Sequence, residues 1–464
     1  VKKQEETRLR ELAPRDELDL IIREATASVE ADLALEDAGW VNLSAQTGEI
    51  ISGAERITNL KLSRLYSVKD PLGKQAIRLW TDYTFGQGMT SHSDEDKTEE
   101  VRKAFWESKA NQNILSARGQ RKSSDKLLID GEVFFAIFLG VKEAKIRMID
   151  PLEITEIITD SDDKEDVRFY KRTWSDAQGA SHDAFYPSTN NPKNKPAKDA
   201  SNKIVKAEGD APLVYHLTYN TIGQRGNPLL LPALIWIKYY TKFMASRIAV
   251  MLALAKFAWH TKVKGGQAAV NAIKAKTHQQ QINAASSLIE NLGSDTTPIK
   301  TDTGAQQAYQ DGRQIKLMIA AAVGIPEQYF GDISIGNLAT AKTVELPMMK
   351  MFQSYQKVWE DTYKDINEIV FTHNGIKEDK QYVDMDFPAI APEDVAAAAT
   401  AIVQILQVLP ALGDSDDVKQ IALMTLGVND PAEVLNELAK EVKKNPDIAL
   451  SRALKQFRES LKKE

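Results

Sequence analysis

Residues 228–260 read PLLLPALIWIKYYTKFMASRIAVMLALAKFAWH. The charges in this stretch are Lys238, Lys242, Arg247 and Lys256, all positive. Its apolar content and spacing predict one long helix. At about 100° per residue, Lys238, Lys242, Lys256 and His260 fall within roughly 40° of one another. Ala245, Ala249 and Ala253 share that stripe, while Trp236, Phe243 and Arg247 point the opposite way. A narrow lysine–alanine stripe suits a polyanion, or a second helix at close range. The plainer reading is a wet helix face, because the other faces are almost wholly apolar. A membrane span needs about 20 mostly apolar residues, and the lysines break this stretch into shorter runs. The helix therefore reads as buried in the protein or between subunits, with no membrane partner.

Around this helix the charge is polarised. Between Asp210 and Glu290 lie 79 positions with no acidic residue and nine basic ones. The rest of the chain holds 50 basic and 65 acidic residues. The formal charge is −6 over 464 residues, which argues against tight wrapping of nucleic acid over the whole surface. That length suits two to four domains. With 43% apolar and 27% charged residues, wholesale disorder is not expected. There is no cysteine, which removes disulfides, thiolate metal sites and cysteine nucleophiles and suits a reducing compartment. The charged first 20 residues lack the apolar run of a signal peptide.

On the N-terminal side, residues 16–38 carry apolar residues at helical spacing. Asp70 followed by Pro71 is a helix start, and Gly86 and Gly88 stop that helix. A second helix is expected over 99–111, and a β-rich region over 126–174. Residues 166–174 and 213–219 are expected to pair as a long hairpin. Between them, 175–210 is polar and reads as an exposed, mobile excursion. On the C-terminal side, helices are expected over 279–292, 311–323 and 338–372. The last holds Pro347 inside it, which predicts a kink. Phe352, Tyr355, Trp359, Tyr363, Ile366 and Val370 form its apolar face. Residues 381–387 alternate as a strand should, and 392–464 read as short amphipathic helices.

Signals for catalysis are few. The six histidines, His92, His182, His216, His260, His278 and His373, never sit at i,i+3 or i,i+4, so they read as surface or packing residues and not metal ligands. Asp160, Asp162, Asp163 and Asp166 lack the glycine and glutamate of a calcium loop and read as a solvated turn. Asp384 and Asp386 share one face of a short strand, as paired catalytic carboxylates can, but a wet strand face is the simpler account. Phosphate-loop, dinucleotide and nucleophile-elbow motifs are absent. No enzyme activity, cofactor or metal is expected. A nuclease using Asp384 and Asp386 stays as an alternative, and a non-catalytic capsid assembly or scaffold protein as another.

Four ordered stretches carry a resemblance. They are His216-Leu217-Thr218-Tyr219-Asn220-Thr221-Ile222-Gly223-Gln224-Arg225-Gly226-Asn227-Pro228, running into the long helix; Asp70-Pro71-Leu72-Gly73 continuing to Gly88; Ile319 to Pro326 followed by Phe330-Gly331-Asp332; and Gly336-Asn337-Leu338-Ala339-Thr340-Ala341-Lys342. Together they span roughly residues 35–390 and resemble the portal, or head–tail connector, proteins of tailed double-stranded DNA bacteriophages. The resemblance implies an α+β, mainly helical subunit with wing, stem, clip, crown and a long kinked spine helix. It assigns 1–225 to the wing, 226–260 to the first stem helix, 261–305 to the clip and 306–324 to the second stem helix. It assigns 325–343 to a tunnel loop, 338–390 to the spine helix with a returning wing strand, and 391–464 to the crown.

The same resemblance implies a ring of normally twelve copies at one vertex of the virion capsid, assembled in the host cytoplasm. The implied partners are DNA in the axial tunnel, a terminase motor, a head–tail adaptor, and the major capsid protein or a scaffold. Carried onto this sequence, the tunnel residues would be Ile333, Ile335, Asn337 and Lys342 on the loop. Lys238, Lys242 and Lys256 would add to them from the stem, and Pro347 would mark the spine kink. Sparse, separated lysines suit a channel through which a polyanion must slide and not stick.

Overall fold

The computed structural model describes residues 53–390, except 142, 222, 257–258, 264–267, 269–270, 272–293, 299–304 and 332–337, and beyond 390 only position 435. The expected helices at 16–38, 279–292 and 392–464 lie outside the described residues. The chain divides into two units, Ala389–Glu464 and the larger Val1–Pro388. Its elements, in order, are α1 (Gly53–Lys69), α2 (Pro71–Phe85), β1 (Thr90–His92), α3 (Asp96–Trp106), α4 (Gln112–Leu115), α5 (Ala117–Asp130), β2 (Glu132–Leu139), β3 (Ala144–Ile149), β4 (Ile154–Thr159), β5 (Val167–Ser175), β6 (Ser181–Pro187), β7 (Ala197–Lys198), β8 (Ile204–Val205), β9 (Leu213–Thr218), α6 (Leu234–Lys256), β10 (Trp259–Val263), β11 (Ser294–Pro298), α7 (Ala305–Val323), α8 (Leu338–His373) and β12 (Asp384–Asp386). Helix and strand are mixed, with helix predominant among the described residues.

Local chemistry sets several boundaries as the sequence predicts. The Asp70 carboxylate accepts from the Gly73 N–H at 2.8 Å, capping α2 with Pro71 in its first turn. Gly86, at φ 48°, ends it. The whole expected apolar face of α8, from Phe352 to Val370, is buried. Trp80 of α2 sits edge-on to Phe352, Tyr355 and Tyr219, at centroid distances of 5.2, 5.3 and 5.8 Å. Its indole N–H donates to the Val323 carbonyl at 3.0 Å, so this aromatic core reaches the end of α7.

Other expectations are corrected. Residues 126–130 finish α5 and belong to no strand, and the helix expected over 99–111 is α3, ending at Trp106. β5 and β9 do not pair. The sheets run β3-β2-β9 and β4-β5-β6. β2 is buried on both faces along Glu132–Ile137 and takes a neighbour on each side, while β5 pairs with its neighbours in sequence, where loop closure costs least.

The segment 175–210 is folded where a polar excursion is expected. β6 lies in it, and Val205 and Ala207 are buried with Ile158 and Phe169. Asparagine amides order it by supplying both donor and acceptor. Asn194 gives its Nδ2 to the Ala207 carbonyl at 2.9 Å and takes the Ala207 N–H on Oδ1 at 3.0 Å, and Asn191 does the same with Lys195.

The helix expected over 228–260 is shorter at both ends. Leu231–Ala233 is a 3-10 turn, in keeping with Pro232, which has no N–H to donate. Beyond Lys256, Trp259–Val263 is a strand paired antiparallel with Ser294–Pro298. The strand expected over 381–387 shortens to β12, which pairs with β1.

Candidate functional site

The lead-in to α6 is strapped to the end of α5 and to the turn that leads into β2. The Tyr219 N–H donates to the Gly131 carbonyl at 2.8 Å, and the Leu229 N–H donates to the Leu128 carbonyl at 2.8 Å. The two backbones come so close that a Cβ on Gly226 would lie 1.9 Å from the Gly131 oxygen. Gly131 itself is at φ 81°. Only glycine fits this crossing.

Beside the strap, Glu132 is fully buried and fully engaged. Its Oε1 accepts from Arg225 Nη2 at 2.6 Å, Arg225 Nε at 3.0 Å and Arg56 Nη1 at 3.2 Å. His216 Nε2 lies 3.1 Å from Oε2. Arg225 also donates to the Ile154 and Pro151 carbonyls, both at 3.1 Å. Burial alone would raise the Glu132 pKa, but Arg225, His216 and Arg56 outweigh it and hold the carboxyl below its ordinary range. For His216, stacked on Phe134 at 4.1 Å, burial outweighs the carboxylate and lowers its pKa. A neutral imidazole therefore donates to Glu132 through Nε2–H. The sequence singles out neither Glu132 nor this role for His216. The available signal is Arg225 between polar and glycine residues, immediately before a helix.

From this root, Leu234 and Ile237 of α6 are buried. Between Thr241 and Leu252 only Phe243 and Arg247 are partly covered, the two residues predicted to face away from the lysine stripe. Phe243 packs on Gly312 of α7, where a Cβ would meet its ring at 2.8 Å. The remaining surface is largely apolar, with Ile248 53%, Met251 61% and Leu252 61% exposed.

Lys242 is exposed, its Nζ 5.8 Å from the Tyr239 ring centroid, and Lys238 is half-buried. Lys256 ends α6 and Lys342 lies in the first turns of α8. Ile333, Ile335 and Asn337 lie outside the described residues. Pro347 sits inside α8, which continues through it. The flanks of 332–337 are clamped together. Glu345 Oε1 accepts from Gln328 Nε2 at 3.1 Å and from the Tyr329 hydroxyl at 2.9 Å. Glu327 takes a two-pronged contact from Arg313 of α7 at 2.7 and 3.1 Å.

The acidic positions behave as surface groups. Arg168 pairs with Asp160 at 3.0 Å and Asp166 at 2.7 Å. Asp384 and Asp386 lie 3.7 and 3.5 Å from the His92 ring nitrogens, and the Tyr382 hydroxyl donates to Asp384 at 2.7 Å. Among the described residues no group of three histidine or carboxylate side chains is placed to hold a metal ion, and no helix is long and apolar enough to cross a membrane.

No family profile and no curated protein matches the chain. Among the solved structures that match the chain are components of gene transfer agent particles. The neck of an empty particle, computed with C6 symmetry, is 13% identical over 84% of this chain and 98% of that one, with a TM-score of 0.49. A virion of the native particle gives 14% identity over 81% and 99%, with a TM-score of 0.45. The native neck, computed with C12 symmetry, gives 14% identity over 84% and 98%, with a TM-score of 0.42.

Proposed function

We propose that this chain is a portal-type subunit. Copies of it close into a ring, by analogy twelve, that forms the DNA channel at one capsid vertex of a phage-like virion and joins head to tail. The observation that carries this reading is the face of α6 beyond Thr241. It is helical, exposes Met244, Ile248, Val250, Met251 and Leu252, and among the described residues packs on α7 through Phe243. Contiguous apolar surface of this kind marks an interaction site. A heterologous contact repeated around an axis and closing on itself makes a ring. The four ordered stretches that resemble portal proteins support the same reading, and the glycine crossing with its buried Glu132 cluster supplies a rigid root for the helix pair. A terminase, a head–tail adaptor and the capsid shell are the partners this role requires.

Native mass spectrometry of the purified protein should give a species on the order of ten times 51.6 kDa. Negative-stain images should show a ring with an axial hole. Ile248→Glu combined with Leu252→Glu should leave a folded monomer. A stable wild-type monomer at high concentration would overturn the reading, and assemblies without a hole would favour a scaffold protein.

A further inference from the structure

α1 packs on the body through one face, where Leu60, Ser63 and Ser67 are buried and the Ser63 hydroxyl donates to the Ile129 carbonyl at 2.6 Å. Away from that face run Ala54, Ile57, Lys61, Leu65 and Val68, all exposed. Leu65 is 48% and Val68 78% exposed. Their spacing of three and four residues confines them to a stripe about 80° wide along the whole helix. A narrow stripe of this period is the seam of a helix that pairs with one other helix, with Lys61 as the polar residue that sets orientation.

The charge around the seam is one-sided. α1 holds one acidic residue, Glu55, and four basic ones. Arg56 and Arg64 are committed to Glu132 and to Asp130 and Asp150. Lys61 and Lys69 are exposed, with no ion-pair partner among the described residues. The fitting partner is thus an acidic amphipathic helix. The sequence holds one just ahead of α1. Residues 16–38 lie outside the described residues, but they carry Leu18, Ile22, Ala25, Val29 and Leu33 at the same three-and-four spacing. They hold eight acidic residues and one basic, with no proline or glycine.

Size and reach favour this occupant over a separate molecule. A stable interface between free proteins buries at least about 1,200 Å², far more than three apolar side chains on one helix supply. A tethered segment needs less, because a short linker holds it at roughly millimolar effective concentration. The 14 residues 39–52 reach about 46 Å when extended, and the 17-residue α1 is about 25 Å long. We infer that residues 16–38 fold back as a helix antiparallel to α1 of the same chain, their apolar stripe on Ile57, Leu65 and Val68 and their carboxylates against Lys61 and Lys69. This contact does not depend on the ring, whose failure native mass spectrometry would report separately.

Hydrogen exchange on the full chain, read by mass spectrometry, tests it. Amides in 16–38 should exchange at least about tenfold more slowly than in an unstructured peptide of that sequence. Leu65→Glu combined with Val68→Glu should return them at least about tenfold toward the free rate, with exchange in α2 unchanged. Unstructured rates in the wild type, or protection that the variant leaves intact, overturn the docking. The chain has no cysteine, so Ile22→Cys with Val68→Cys, at nearly equal distances from the linker, reports the geometry. A short bismaleimide, which tolerates an offset of one turn, should link the two within one chain. Covalent dimers would overturn the assignment to the same chain, and absence of any link would overturn the antiparallel arrangement.

Discussion

Glu132 keeps a full charge without exposed surface because two guanidiniums and an imidazole replace its water. Removing one side of such an arrangement costs far more than the arrangement contributes. Glu132→Gln should therefore lower stability by about 3 kcal/mol or more, read from the midpoint of urea unfolding, since Arg225 would lose the carboxylate it is buried against. His216 adds a pH dependence of predictable sign. Its folded pKa is depressed below the ordinary 6.5, so the unfolded chain binds the proton first as pH falls. Its contribution is fully present above pH 6.5 and is lost below that value, at up to about 1.4 kcal/mol per pH unit. The depressed Glu132 carboxyl acts in the same direction at lower pH. Unfolding midpoints at pH 7.5 and pH 5.5 should differ in the wild type, and His216→Gln should narrow that difference.

Among the elements, two glycines decide how the helix pair is mounted, and they differ in what a side chain would strike. At Gly226 the obstacle is the Gly131 backbone, 1.9 Å from the added Cβ, and it cannot move without parting the strap. Gly226→Ala should prevent folding or cost more than about 3 kcal/mol, visible as loss of soluble protein. At Gly312 the obstacle is the end of the Phe243 ring, which can rotate. Alanine there gains roughly 1 kcal/mol of helix propensity and loses a comparable amount in packing, so Gly312→Ala should be near neutral. Gly312→Leu should destabilise by about 1–3 kcal/mol, and adding Phe243→Ala should restore part of the loss. If the double variant is no better than the single, α6 and α7 are not held together at this contact.

Across the whole molecule, the part of α6 beyond Thr241 exposes a largely apolar surface. Kosmotropic salt strengthens apolar burial and screens charge pairs. If copies associate through this face as proposed, about 0.5 M sodium sulfate should make the assembly resist dissociation on dilution, read by sedimentation velocity. Weakening in sulfate would mean that charge, and not apolar contact, holds the subunits.

The sequence alone determined whatever depends on neighbours in the chain. The Asp70-Pro71 cap, the apolar face from Phe352 to Val370 and the face of α6 that carries Phe243 and Arg247 all follow from local spacing. Their signals are short-range preferences of residue type and helical period, so no distant partner is needed to read them. Tertiary structure decided what depends on residues far apart. Glu132 is flanked by Gly131 and an apolar strand, and nothing nearby in sequence announces that Arg56, His216 and Arg225 converge on it. The choice of β2 as the partner of β9, against the expected β5, turned on which strand was buried on both faces. The order within 175–210 came from asparagine amides reaching 4 and 13 residues along the chain, where composition alone suggested solvent. Polarity measures a residue's affinity for water, and a buried polar group gives that up only when the fold supplies its hydrogen bonds.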